Sequence, residues 1–422
     1  MSKSFLKLLI SQLFANLADI FLRVSLIANI YVITKSVIAT SMVPILIGLS
    51  AFVASLLVPL VTKKLALNRV LSFTQCGKTF LLAILLGMLI KAQFVPALGM
   101  YIFVVAISIL DGFASPVSYA MIPRYATNLG KANAALSMSG EGVQLIGWGL
   151  GGLLYTSLGL FPTLLIVLLL YLLSTFVMLF LPQAKIEQLE AETNLDTLVK
   201  GWKLVAKNPK LKLFVQANLL EDFSNTIWVS SVILVFVTEV LKQTESYWGY
   251  SNTAYSLGII LGGIIVYKLS ENFLAHKWKS ILFSLLAMAT ITASILFFSN
   301  TQTFLIFSSL IGFFSQLKEV PESVFLQETV DENQLVHVYS VFEVISTLAF
   351  SVFVFLMSSI TEKFGITTSF WLSTICILLE VYETALKGRS NIRNTHRELP
   401  DGERRVQNFC EYIPELRTEF FQ

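Results

Sequence analysis

Residues 185–210 read KIEQLEAETNLDTLVKGWKLVAKNPK, the one long polar stretch before the C-terminal tail. Everything on either side of it is a row of apolar segments. Six precede it, at roughly 6–33, 39–61, 70–91, 97–121, 141–160 and 162–181, and six follow, at roughly 212–240, 247–267, 280–298, 303–326, 338–360 and 367–386. Each is near the ~20 residues that a helix rising 1.5 Å per residue needs to cross a bilayer. With 55% hydrophobic and 14% charged residues and a mean hydropathy of +0.73, a soluble chain of 422 residues would lack the polar surface to cover its core. Within the polar stretch Leu195, Leu198, Val199, Trp202, Leu204 and Val205 recur at helical spacing. They predict an amphipathic helix lying on the membrane surface.

The distribution of positive charge then orients the chain. Of the 30 Lys and Arg residues, 23 fall in the termini and the even-numbered loops, and 4 (Lys35, Lys91, Lys242, Lys363) in the odd-numbered loops. The other 3, Arg23, Lys78 and Lys318, lie inside spans. The positive-inside bias predicts that both termini are cytoplasmic, which requires an even number of spans. The net charge of +3 thus faces the anionic cytoplasmic leaflet and gives no reason to invoke nucleic acid. Cys76 and Cys376 fall in spans and Cys410 in the tail, so a disulfide framework is not expected. The first span is too long, and with Asp19 and Arg23 too polar, for a cleavable signal peptide.

The two halves carry similar stretches. QLFANLADIF (12–21) resembles VQANLLEDF (215–223), setting Asp19 opposite Glu221 and Asp222. SILDGFASPVSY (108–119) parallels FSQLKEVPESVF (314–325), setting Pro116 opposite Pro321. Nearly equal offsets point to one duplication, and an even number of spans per half makes the repeat parallel, with its axis along the membrane normal. The expected organisation is an N-terminal six-helix domain (1–182), a central cytoplasmic loop (183–211), a C-terminal six-helix domain (212–386) and a cytoplasmic tail (387–422).

A charge at mid-membrane costs ~2.5–3.5 kcal/mol on insertion scales, so each needs a partner or a wet cavity. Asp19 and Arg23 sit at i, i+4 on one face of span one. They form either an ion pair that locks packing or the lining of a substrate or proton path. Glu221, Asp222 and Asn225 repeat the theme in span seven; adjacent residues lie about 100° apart, so one of the two carboxylates is expected to pair with a neighbouring helix. Asp111 lies midway along span four, with Lys78 of span three its nearest unpaired cation in sequence. Lys318 and Glu322 form a second i, i+4 pair, amid Gln316 and Glu319; Lys318 either belongs to a hydrated face or snorkels to the cytoplasmic surface. Glu141 opens span five near the cytoplasmic surface, where solvation would suffice, and Glu343 stands one turn into span eleven. Gly147, Gly149, Gly151 and Gly152 in span five, and Gly258, Gly262 and Gly263 in span eight, form small-residue faces for close helix packing or for bending.

No phosphate-binding loop of the G-x-x-x-x-G-K-[ST] type occurs, so ATP-driven transport lacks support within this chain. His276, His337 and His396 all fall in expected loops or tail, leaving any proton carrier to be a carboxylate. No metal-ligand cluster or Ser/His/Asp set can be assembled at one depth, so catalysis is not expected.

Twelve spans, a central loop and parallel halves resemble the major facilitator superfamily. Residues 111–182 resemble its bacterial drug–proton antiporter branch, which includes macrolide-efflux proteins and the enterobactin exporter. The likeness rests on PVSYAMIP (116–123), KANAAL (131–136), IGWGLGGLL (146–154) and the apolar run ending at Leu181-Pro182. GWKLVAKNP (201–209), Gln327 and the acidic Asp19 add to it. Two positions depart from the pattern. The loop between spans two and three, PLVTKKLALNR (59–69), has Pro59 at the glycine position and Lys63 where an aspartate latch is usual. Trp148 replaces the proline that exporters often carry in span five.

The resemblance implies an all-α integral membrane fold of twelve transmembrane helices, in the bacterial inner membrane. It further implies a secondary active transporter performing proton-coupled efflux of an amphipathic small molecule by alternating access. The expected proton and substrate cavity residues are Asp19, Arg23, Asp111, Glu221, Asp222 and Asn225. Lys78, Lys318 and Glu322 are their charge partners, and Pro116, Gly147, Gly151 and Gly262 are packing or hinge positions. Expected partners are a drug or siderophore-like substrate, protons and lipid, with a monomeric chain and no cofactor or metal. Nutrient uptake and a non-transporting membrane sensor are the alternatives.

Overall fold

The computed structural model describes residues 1–92, 95–184, 193–229, 231–244, 246–298 and 300–398. The expected tail beyond 398, with Cys410, and the linker segment 185–192 lie outside the described residues. The first half is six long helices: α1 (Lys3–Thr34), α2 (Val37–Thr62), α3 (Leu67–Ala92), α4 (Ala97–Tyr125), α5 (Leu129–Leu158) and α6 (Leu160–Leu179). The linker forms α7 (Asn194–Lys207). The second half opens with α8 (Pro209–Val229), α9 (Ser231–Val235) and a π turn (Phe236–Val240), then α10 (Ser246–Lys268) and α11 (Ser270–Ala275). It closes with α12 (Lys277–Ile295), α13 (Thr301–Thr329), α14 (Leu335–Phe364) and α15 (Ile366–Glu398).

Among the described residues, eight helices are long and apolar enough to cross a membrane: α1, α2, α3, α4, α6, α10, α12 and α14. The other four long helices, α5, α8, α13 and α15, carry Glu141, Glu221 with Asp222, Lys318 with Glu319 and Glu322, and Glu380. Their lower hydropathy and their charged content have one physical origin, since a helix that faces other helices and a polar cavity is freed from the need to be apolar all round.

The boundaries correct three readings. α5 begins at Leu129, about three turns ahead of Glu141. Glu141 is therefore half-buried inside the helix, where its carboxylate accepts a 2.9 Å hydrogen bond from Ser256 Oγ. His337 stands in the first turn of α14, 7% exposed, rather than in a loop. Helix α15 continues to Glu398, past the expected start of the tail.

Small residues set the closest approaches. A Cβ on Gly147 would meet Ile20 Cγ2 at 2.9 Å, and one on Gly151 would meet Phe21 Cδ1 at 3.2 Å, so α5 lies flush on α1. Gly258 and Gly312 bring α10 and α13 into backbone contact, and a Cβ on Gly262 would stand 2.7 Å from the Phe313 carbonyl. Gly149 and Gly152 meet nothing within 4 Å, so only part of the glycine face in α5 is used for packing.

The apolar cores show how the halves meet. At the end holding the N-terminus, one continuous core mixes Leu8, Val117, Met121 and Tyr125 with Leu326, Leu335, Val338 and Val341. At the opposite end each half has a core of its own, around Ile30, Leu85 and Val104 in the first and Phe236, Ile295 and Phe370 in the second. The helix assembly is therefore closed at the terminal end and parted at the other. α7 docks at the closed end: Thr197, Gly201 and Val205 are buried, and Gly201 sits so tightly on the His337 carbonyl that a Cβ there would reach it at 2.5 Å. This differs from the expected apolar stripe, because Leu195 and Trp202 point away, 72% and 40% exposed. Close approach to α14 selects the face bearing Thr197 and Gly201, with Val205 in the core and Leu204 packed against it, and leaves Leu195 and Trp202 outward.

Candidate functional site: two lysine–carboxylate networks around a shared cavity

Among the described residues each half buries one lysine. In the first, Lys78 on α3 is 2% exposed and donates to Asp19 Oδ2 on α1 at 2.7 Å and to Asp111 Oδ1 on α4 at 2.9 Å. Tyr171 of α6 donates to the other oxygen of Asp19, and its ring centroid lies 5.2 Å from Lys78 Nζ. Arg23, one turn along from Asp19, turns to Asp111 at 3.5 Å. The i, i+4 relation of Asp19 and Arg23 therefore links them through Asp111 and Lys78 rather than in a direct pair. Lys78 and Arg23 against Asp19 and Asp111 make a charge-balanced set, which is the condition for keeping such groups out of water.

The second half is built differently. Lys318 on α13 has no exposed surface and is held by Glu221 of α8, by Glu322 at 3.4 Å and by Glu380 of α15 at 2.9 Å. The snorkelling reading of Lys318 is thereby overturned: three carboxylates fix the ammonium in the interior. Both carboxylates face neighbouring helices: Glu221 holds Lys318 of α13, while Asp222 faces Ser346 of α14 and leaves Oδ2 buried without a hydrogen-bond partner. Asn225, one turn further along α8, is half-buried. One ammonium is therefore shared among three carboxyl groups in this network.

Both networks border open space between the halves. A cavity of about 380 Å³ is lined by Asp19, Arg23 and Asp111 from the first half, with Glu141 and Glu319. A cavity of about 250 Å³ is lined by Pro116, Glu221, Asp222, Glu319, Glu322 and Glu343, and walled by Tyr119, Phe214, Tyr339 and Phe342. Tyr119, Glu319 and Ser323 line both, so the two spaces adjoin. The Tyr119 and Tyr339 rings stack across the halves at 5.6 Å, and Phe214 stacks on Phe342 at 5.4 Å.

Below the cavities, polar contacts tie the halves at the closed end. Asn133 and Gln327 exchange hydrogen bonds of 2.9 and 3.1 Å through both side-chain amides, and Arg124 donates to Glu332 O and to Asn333 Oδ1. Ser137 donates to Gln316 at 2.7 Å.

Sequence reasoning missed Tyr171 and Glu380. Each is a polar group on the last long helix of its half and each completes the buried network there. A polar side chain in the corresponding helix of both halves is the signal that could have found them. Pro116 lines the smaller cavity, whereas Gly147, Gly151 and Gly262 are packing positions away from it.

Residues 217–382 match the family model of the Major Facilitator Superfamily. The chain is 29% identical to the MFS-type transporter YfmI of Bacillus subtilis (strain 168) over 87% of its own length and 92% of that protein. Among solved structures, a bacterial homologue of the iron transporter ferroportin, in an outward-facing state, superposes with a TM-score of 0.71 at 14% identity. That alignment covers 91% of this chain and 98% of the other. The fucose:proton symporter FucP of E. coli superposes with a TM-score of 0.70 at 12% identity, covering 89% and 98%. The family match and the relatives support membrane transport.

Proposed function

We propose that this transporter of the major facilitator superfamily carries out proton-coupled efflux of an amphipathic small molecule by alternating access. The observation that carries the reading is the buried Asp19–Lys78–Asp111 network beside an inter-half cavity. A carboxylate that trades between a lysine and a proton changes the charge balance of α1, α3 and α4 each time it does so, and that change is the coupling event. In this proposal Asp19 is the proton carrier of the first half, Arg23 and Lys78 tune it, and Glu221 or Asp222 is its counterpart. The chain has twelve spans in two six-helix domains, 1–182 and 212–386, joined by a cytoplasmic linker. Both termini are cytoplasmic in a bacterial inner membrane, and the protein acts as a monomer. With that orientation the closed end is cytoplasmic and the cavities open outward.

The test is accumulation of drugs, dyes and siderophore-like compounds in efflux-deficient bacteria expressing the wild type or Asp19→Asn, with and without protonophore. The expected result is lower accumulation in the wild type that is abolished by protonophore and by the variant. Proton-dependent export that persists in Asp19→Asn would remove Asp19 from the coupling path. Proton-driven uptake is the second reading, favoured by the fold shared with a fucose:proton symporter; substrate entering with an inward proton gradient would establish it.

A further inference from the structure

The sequence leaves the charge of the transported molecule open, because acidic residues would suit a cation while Arg23, Lys78 and Lys318 would suit an anion. The geometry of the smaller cavity bears on that choice, since Arg23, 35% exposed, lines only the larger one. All three basic groups are already held by carboxylates: Arg23 by Asp111, Lys78 by Asp19 and Asp111, and Lys318 by Glu221, Glu322 and Glu380. The two lysines have 2% and 0% of their surface exposed, so neither offers charge to a ligand. Among the described residues the smaller cavity is lined by five carboxyl groups and by no lysine or arginine.

Two of its acidic groups stand apart from the Lys318 network. Among the described residues no ion pair or hydrogen bond engages the Glu319 carboxylate, which is exposed to both cavities. Asp222 keeps a buried oxygen without a partner in the same wall. A buried acceptor without a partner costs stability unless something else satisfies it. The same cavity is lined by aromatic rings, with Tyr119 stacked on Tyr339 and Phe214 on Phe342. Ring faces carry negative quadrupole density and attract cations, most of all soft organic ones. Among the described residues no three His, Cys, Asp or Glu side chains converge as metal ligands, which argues against a bare metal ion.

We propose that the cavity between α4, α8, α13 and α14 binds an amphipathic organic cation. Its positive group lies against Glu319 and its apolar body between the Tyr119–Tyr339 and Phe214–Phe342 ring pairs. The inference rests on the transport reading above and names the substrate class for it. Glu319 and Tyr119 line both cavities, so the bound cation sits beside the Asp19 network and bridges the two halves.

The test is equilibrium dialysis of the purified full-length protein in lipid nanodiscs, at one pH and with no proton gradient. The probes are phenyltrimethylammonium, its uncharged isostere tert-butylbenzene, and benzenesulfonate. The cation is expected to bind at least tenfold tighter than the isostere, and the anion not to bind. Glu319→Gln, which removes charge from a group with no structural partner, is expected to weaken the cation tenfold and leave the isostere unchanged. Phe342→Leu is expected to weaken both. Equal binding of cation and isostere, stronger binding of the anion, or wild-type affinity in Glu319→Gln would overturn the proposal. Because the assay holds no proton gradient, it reads cation binding apart from the coupling assigned to Asp19. Loss of proton coupling with intact cation binding, or the reverse, therefore shows separately which reading has failed.

Discussion

Replacing Lys318 with methionine removes a buried cation of similar shape and leaves its three carboxylates facing one another. Breaking a buried ion pair by deleting one partner costs ~3–5 kcal/mol, because the remaining charge is left without compensation. The structure divides that cost unevenly. The side chains of Glu221 and Glu322 keep 18% and 15% exposure on the cavity, where water can take over, whereas Glu380 keeps 2%. We therefore expect Lys318→Met to lose about 3 kcal/mol, nearly all through Glu380. If the second half melts as a unit, at ~2–4 °C per kcal/mol, its thermal midpoint falls by roughly 6–12 °C. Thermal unfolding in detergent, followed by tryptophan fluorescence, reads this directly, since Trp228 is 9% exposed in the second-half core. The double variant Lys318→Met/Glu380→Gln should regain at least half of the loss, because the carboxylate that cannot reach water has gone. A single variant as stable as wild type, or a double variant no better than the single, would refute the division of charge described for this network.

Gly262→Ala places a Cβ 2.7 Å from the Phe313 carbonyl and should cost ~1–3 kcal/mol by overpacking, whereas Gly152→Ala, with nothing within 4 Å, should be neutral; midpoints of the two variants compare them. Arg124→Ala removes hydrogen bonds to Glu332 and Asn333 at the closed end, so the halves should separate there more often, read as longer spin-label distances between 124-side and 332-side helices; an unchanged distance distribution would deny Arg124 a closing role. Asp196, at the start of α7, accepts from Thr193 Oγ1 at 2.6 Å, and this bond with the charge of Lys203 holds its carboxyl below the usual aspartate range. A carboxyl depressed in the folded state contributes above its unfolded pKa and is lost as pH falls through its folded pKa. Amide protection factors of α7, taken relative to the intrinsic exchange rate at each pH, should accordingly fall below about pH 4, and Asp196→Asn should flatten that dependence.

The succession of long helices before and after α7 was legible because bilayer thickness imposes length and apolarity on every lipid-facing helix. The four long helices that fall below that apolarity are the ones that bear Glu141, Glu221, Lys318 and Glu380, and there charge rather than hydropathy was informative. The start of α5 was hidden because GKANAALSMSGEG reads as polar loop, although its side chains face α10 and α13.

What local sequence determined is therefore the set of helices, the placement of α7 between the halves, and the presence of costly charges in the interior. Those follow from constraints acting within one segment: the length of a turn, the cost of burying a charge, the alternation of faces. Partner choice came from tertiary structure alone. Lys78 reaches Asp19 across 59 residues and Lys318 reaches Glu380 across 62, and spacing along a single helix can report neither contact. The same holds for the open and closed ends and for the acidic, aromatic-walled cavity, which exist only where helices from distant parts of the chain are packed against one another.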